Sequence, residues 1–500
     1  METKLIKLKT ILGEVNDLNA AAALLDWDHQ TYMPPQGAQA RGHQLATLSS
    51  IAHDKFTSPE VGRLLEEVQP GVDQLDPDSD DARLVRVTRR EYRKATCVPT
   101  ELVAEMARVT SVAHNVWQEA RAENNFAKFR PHLEKIVELR RRYAALFAPY
   151  DHIYDPLLDD YEPGMKTAEV KAIFDTLRPR QVELIQAIAE RPQVDDSFMH
   201  QQFDEQKQWD FGVDVITRFG YDWQRARQDK STHPFTTNFS IDDVRITTRI
   251  SPEYFPTGFT STAHEAGHAF YELGVDHALE RTALAGGASL AVHESQSRMW
   301  ENLVGRSLPF WEYFYPRLQK VFPSQLSGVS LQDFYKGMNK VEPSLIRVDA
   351  DEATYNLHIM LRLELEIALM EGSLAVKDLP EAWNTRTQEY LGITPPNDTL
   401  GVLQDVHWSG GSIGYFSTYA LGNLISVQLW QKINQDVPDL ADQLRKGEFS
   451  VLMGWLRQNV HRHGRKFEPQ ELVERVTGSK IDPEPYLQYL QDKFGQIYQL

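Results

Sequence analysis

The chain has 500 residues, 41% of them hydrophobic and 25% charged, which is the balance of a folded globular protein with a large core. Acidic residues outnumber basic ones, 71 against 53, and no basic tail or stripe offsets the formal charge of −18, which argues against a nucleic-acid partner. Cys97 is the sole cysteine, so no intrachain disulfide framework exists, and Thr96-Cys97-Val98-Pro99 offers nothing to activate the thiol. No apolar run is long enough to span a membrane, and Met1-Glu2-Thr3-Lys4-Leu5 leads into an amphipathic pattern rather than a signal peptide. A cytoplasmic protein is expected.

In chain order, the first element is a helix. Leu5, Leu8, Leu12, Val15 and Leu18 recur at spacings of three and four, and Met33-Pro34-Pro35 ends the run. Helix-forming segments rich in Glu, Leu, Arg, Gln and Ala follow, punctuated at Asp151 to Gly164, Arg191-Pro192, Pro309 and Thr394-Pro395-Pro396. Thr236 to Ile250 differs. It is rich in Thr, Phe, Val and Ile, and Val244 to Thr248 alternates apolar and polar residues, which predicts a small sheet. There is no repeat and no linker that clearly divides the chain. A mainly α protein with one small β-sheet is expected.

Directly after the sheet comes His264-Glu265-Ala266-Gly267-His268. On a helix, residues four apart share a face, so the two imidazoles can reach one cation while Glu265 takes a proton from water beside it. Thr260-Ser261-Thr262 offers N-cap candidates, and Gly267 would admit a closely approaching backbone. A third ligand must come from elsewhere. Tyr271 and Gly274 stand where a metzincin has Gly and His, and Glu272 lies too far along the same helix. His277, His293 and Glu294 remain as candidates, with Glu294 favoured on spacing over His293, and a surface His-Glu pair as the ordinary alternative.

Two later blocks carry further polar residues. Ile346-Arg347-Val348-Asp349-Ala350-Asp351-Glu352 is expected to open a long apolar helix with Tyr355 and His358. Gln404-Asp405-Val406-His407-Trp408 precedes a glycine-rich run that ends at Tyr415-Phe416. No strand precedes those glycines, so they are read as a segment positioning His407 and Tyr415 rather than as a phosphate loop.

Taken together, these blocks resemble the carboxypeptidase Taq family of zinc metallocarboxypeptidases. The resemblance rests on Leu25-Asp26-Trp27-Asp28, Thr31-Tyr32-Met33-Pro34, His233-Pro234-Phe235, Asp243 to Thr248, the metal motif, His293 to Arg298, Ile346 to Tyr355 and Gln404 to Trp408, in order across nearly the whole chain. It implies one catalytic domain over residues 1–500, a helical fold similar to neurolysin and angiotensin-converting enzyme with a deep central groove, and a homodimer. It implies His264, His268 and Glu294 as metal ligands and Glu265 as general base. It further implies His407 and Tyr415 near the scissile carbonyl and Arg347 facing the substrate's terminal carboxylate, with Arg245 as runner-up. The metal would be Zn2+, with Co2+ or Mn2+ as substitutes, and the partners would be peptide substrates, with no membrane partner. The expected activity is broad-specificity release of single C-terminal amino acids. An oligopeptidase or dipeptidyl carboxypeptidase of the same fold is the first alternative, and a non-catalytic peptide-binding protein, which has no need of Glu265, is the second.

Overall fold

The computed structural model describes residues 2–500, of which 68% are helical. The first helix, Glu2–Thr31, buries Leu5, Leu8 and Leu12 and leaves Val15 and Leu18 half-buried. It packs with Pro59–Val72 and Asp80–Cys97 around a small apolar cluster. A much larger cluster runs from Ala113 to Tyr498 and takes in the helices that carry the candidate site. No helix among the described residues is long and apolar enough to cross a membrane.

Three strands form the sheet: β1 (Ala226–Lys230), β2 (Thr236–Ser240) and β3 (Asp243–Thr248), in the order β1-β3-β2. β2 runs antiparallel to β3 with Thr236 opposite Ile246, as a hairpin must, and β1 lies parallel on the other side with Ala226 opposite Val244. The composition predicted β2 and β3 but not β1. Ala-Arg-Gln-Asp-Lys has no β-branched or aromatic residue, and its strand conformation comes from pairing with β3. Val244 and Ile246 are fully buried, and Thr248 Oγ1 lies 3.1 Å from Thr262 Oγ1 of the next helix, so the sheet braces that helix along its length.

The metal-motif helix spans Phe255–Leu273 and begins about two turns earlier than expected. Tyr254 is its N-cap position and Pro256 occupies the first turn, where a missing N–H costs nothing. Thr260 and Thr262 are therefore inside the helix, and their hydroxyls donate back to the carbonyls of Pro256 and Gly258 at 2.9 and 2.8 Å. The following helix, Leu290–Arg298, is capped by Ser289 Oγ accepting from the Val292 N–H at 3.1 Å, and runs on into a π-helical turn over Met299–Val304. The two helices touch at Gly267, where an added Cβ would lie 2.6 Å from the Gln296 carbonyl oxygen.

Ile346 to Glu352 does not open a helix directly. Arg347–Asp349 is a single 3-10 turn, and the apolar helix starts at Tyr355. Asp351 sets that start by accepting from the N–H groups of Ala353 and Thr354 at 2.9 and 3.0 Å. Residues His407–Gly410 form another 3-10 turn, which leads into the buried helix Ser417–Asp436.

Candidate metal centre and active site

His264 and His268 point from one face of their helix toward Glu294 on the next. Each Nε2 stands 3.6 Å from the same oxygen, Glu294 Oε2, and the three ligand atoms lie within 4.8 Å of one another. Tetrahedral coordination with bonds of ~2.0–2.1 Å separates its ligands by roughly 3.3 Å, so a divalent cation fits with little movement. Glu294, the residue favoured on spacing, completes the triad, and Gly422 of the Ser417–Asp436 helix lets it approach. A Cβ there would sit 2.6 Å from Glu294 Cγ.

Every remaining polar atom of the triad is engaged. His264 Nδ1 meets Glu301 Oε2 at 2.8 Å, which directs Nε2 inward. His268 Nδ1 meets His293 Nδ1 at 2.6 Å, and His293 Nε2 reaches Glu272 Oε1 at 2.7 Å. A neutral His268 ligating through Nε2 carries its proton on Nδ1, so it donates to His293, which donates to Glu272. His293, a ligand candidate in the sequence, and Glu272, set aside there as too far along the helix, thus stand behind one. His277 is exposed and pairs with Asp242, away from the triad. Arg298 Nε donates to Glu294 Oε1 at 2.6 Å and its Nη1 to Glu301 at 3.2 Å, while Glu294 Oε2, which also accepts from Ser297 Oγ at 3.2 Å, faces the two imidazoles.

The electrostatics suit a cation. Burial opposes charge on His264, but Glu294 and Glu301 outweigh it and raise the ring above the usual imidazole range. Burial and the neighbouring His293 and His264 hold His268 well below that range. Arg298 and His264 overcome the burial of Glu301 and keep its carboxyl at about 2. Glu265 is buried and accepts from Thr236 Oγ1 at 2.6 Å. Burial raises its pKa, and the His264 and Thr236 contacts only partly offset this.

A second cluster is tied to the first through Arg298, whose guanidinium lies over the Tyr355 ring at 4.3 Å. Tyr355 Oη accepts from Arg347 Nη1 at 3.2 Å, and Arg347 Nε and Nη2 both donate to Asp405 Oδ1, at 3.0 and 2.9 Å. The acid beside Arg347 is therefore Asp405, and not the sequence neighbours Asp349 or Asp351. Arg362 shares Asp405, donating from Nε to Oδ2 at 2.7 Å, so two buried guanidiniums face one carboxylate. The His407 ring is 5.2 Å from that of Tyr415, whose hydroxyl accepts from Tyr419 at 3.4 Å. Burial and the two arginines pull His407 down to about 4, against the pull of Asp405, so at neutral pH the ring is uncharged. Arg245 lies elsewhere. Its fork is filled by Asp243 at 2.9 and 3.0 Å, and it stacks between Trp27 and Phe239.

The whole sequence agrees with this geometry, matching the family model of the carboxypeptidase Taq (M32) metallopeptidases over residues 7–494. The chain belongs to the M32 family. It is 43% identical over 493 residues to thermostable carboxypeptidase 1 of Thermus thermophilus, covering 96% of each chain. With carboxypeptidase 1 of Bacillus subtilis the identity is 37%, covering 98% of each. Among solved structures, the M32 carboxypeptidase of Deinococcus radiodurans superposes with a TM-score of 0.97 at 40% identity over 100% of both chains. Metallocarboxypeptidase 1 of Trypanosoma cruzi does so at 0.94, 33% identical over 100% of both. The protein is an M32 carboxypeptidase, and its family is one of metal-dependent peptidases.

Sequence reasoning did not assign roles to Thr236, Arg298, Glu301, Arg362 or Tyr419. Arg298 and Glu301 carried a signal, since they lie four and seven residues after Glu294 and so return to its helix face. Thr236 and Arg362 carried none, because only tertiary packing brings them in.

Proposed function

We propose that the protein is a zinc carboxypeptidase that removes single residues from the C-termini of peptides with broad specificity, using His264, His268 and Glu294 to hold the metal. The observation carrying this reading is the convergence of both imidazole Nε2 atoms on one Glu294 oxygen, with each Nδ1 already engaged. A nitrogen-rich set of two histidines and one carboxylate suits zinc, and Co2+ or Mn2+ would be accepted by the same donors. A cation held by these three residues would supply Lewis acidity toward the scissile carbonyl and the attacking water.

Glu265 is the general base. Burial raises its pKa, which favours the carboxylate as a proton acceptor, and it returns the proton to the leaving amine. Thr236 holds its Oε2 and so fixes the direction of the carboxylate. Neutral His407 and the Tyr415 hydroxyl donate to the oxyanion, an interaction typically worth ~3–4 kcal/mol per donor. Arg347 receives the terminal carboxylate. Two guanidiniums against one Asp405 leave an excess positive charge in a buried setting, and a substrate carboxylate would neutralise it. Arg245, its fork filled by Asp243, stays a structural ion pair in this reading.

The chain acts as one catalytic domain, a reading supported by the family match over residues 7–494, and it works in the cytoplasm as a homodimer. The test of function is product analysis. Incubation with free-acid peptides should release one amino acid at a time, stop in chelator and resume with Zn2+. Release of dipeptides or internal fragments would favour an oligopeptidase, and no hydrolysis with metal bound would favour a peptide-binding protein.

A further inference from the structure

The segment Tyr154–Glu162, punctuated by Pro156 and lying between two long helices, touches both halves of the site. It is anchored at its base by Asp155 Oδ1, which accepts from the Thr167 N–H at 2.8 Å and from its hydroxyl at 2.6 Å. Toward the loop of His407 and Tyr415, the Tyr154 hydroxyl donates to Glu366 Oε2 at 2.5 Å. That carboxylate, fully buried, also accepts from the Gly414 N–H at 2.9 Å and from Trp408 Nε1 at 2.7 Å. Glu366 therefore grips the loop at two points, Trp408 just after His407 and Gly414 just before Tyr415. The Tyr161 ring then meets the Tyr415 ring edge-on, 5.2 Å between centroids.

Toward the metal, the same segment seats the first turn of the Glu294 helix. The Tyr161 carbonyl accepts from the Leu290 N–H at 3.3 Å, and Glu162 Oε1 accepts from the Ala291 N–H at 2.6 Å. These satisfy N–H groups that a helix start leaves without partners, and that of Ala291 is fully buried, where water cannot serve it. Glu162 is fully buried, its Oε2 has no partner, and burial pushes its carboxyl up to about 8. Near neutrality it is thus mostly uncharged, and its role is that of an acceptor oxygen.

We propose that Tyr154–Glu162 is a clamp holding the Glu294 helix and the His407–Tyr415 loop at a fixed separation, with Glu162 positioning the metal ligand and Tyr154, through Glu366, positioning the oxyanion donors. The inference rests on the roles given above to Glu294, His407 and Tyr415. Its signature is that two small changes eight residues apart affect different quantities. Glu162→Met keeps the volume and removes the acceptor, and it should weaken Zn2+ binding on the order of 10-fold in chelator competition, with kcat of the saturated enzyme nearly unchanged. Glu162→Gln keeps an acceptor oxygen and should restore affinity. Tyr154→Phe should leave Zn2+ affinity alone and lower kcat of the zinc-saturated enzyme on the order of 10-fold, since small misplacement of donors is costly.

A third readout separates the clamp from the catalytic assignment. In protein labelled with 5-fluorotryptophan, the Trp408 resonance, identified by its loss in Trp408→Phe, should shift in Tyr154→Phe even if Tyr415→Phe proves fully active. In that event the catalytic role of Tyr415 fails and the clamp stands on the shift and the metal arm. The clamp is overturned if Glu162→Met binds Zn2+ as wild type does, if Glu162→Gln is as weak as Met, or if Tyr154→Phe leaves both kcat and the Trp408 resonance unmoved while only lowering the melting temperature.

Discussion

His264, His268 and Glu294 project from two helices in backbone contact at Gly267, whereas Arg347, His407 and Tyr415 sit on 3-10 turns and a glycine-rich loop. On the metal side, helix pitch fixes the histidine spacing, and side-chain partners such as Glu301 and His293 set the ring directions. On the other side no repeating backbone geometry fixes anything. Position is set by buried polar groups, Asp405 between two arginines and Glu366 beneath Gly414. The difference teaches where each function is vulnerable: the metal side through its ligands and their partners, the loop side through single buried hydrogen bonds.

The largest effects should separate chemistry from occupancy within the metal side. Glu294→Ala should lose the metal and with it essentially all activity, read by metal analysis of the purified protein. Glu265→Gln should retain one metal per chain while kcat falls by on the order of 10² or more, as for loss of a general base. If Glu265→Gln stays active, another group activates the water. On the loop side, Tyr415→Phe should lower kcat by ~10² with metal content unchanged, the scale of one oxyanion donor. A drop in metal content in that variant would erase the distinction between the two sides.

Smaller effects sharpen the comparison. Glu301→Gln should weaken metal binding roughly 10- to 100-fold, because His264 loses the carboxylate that orients it. Gly422→Ala, which would press a methyl group against Glu294, should also weaken metal binding, in the same competition assay. Smallest of all should be the effect of chelator on the fold. Helical circular dichroism should persist, since two apolar clusters rather than the metal hold the helices together.

What the sequence made legible follows the same division. A spacing of four residues announces the His264 and His268 face, and a Val-Ile-Thr alternation announces β3, because both are local patterns. The helical start at Phe255 was not visible, since Thr260 and Thr262 look like caps until their hydroxyls are seen bonding back along the helix. β1 was hidden because its strand state is imposed by β3 rather than by its own residues. The partner of Arg347 was hidden for a related reason. Asp405 is remote in sequence, while the adjacent Asp351 is turned to the N–H groups that start the next helix.

One measurement bears most directly on the account, in which the metal side cuts and the arginine side reads the chain end. The hydrolysis rates of a free-acid peptide and its C-terminal amide are compared in wild type and in Arg347→Ala, both saturated with metal. The wild type should cleave the acid far faster than the amide, and Arg347→Ala should cleave both at similarly low rates. Arg347→Lys should fall between, because it keeps the charge and loses the two-pronged hydrogen bonding. Equal cleavage of acid and amide by the wild type, or an undiminished preference for the acid in Arg347→Ala, would contradict it.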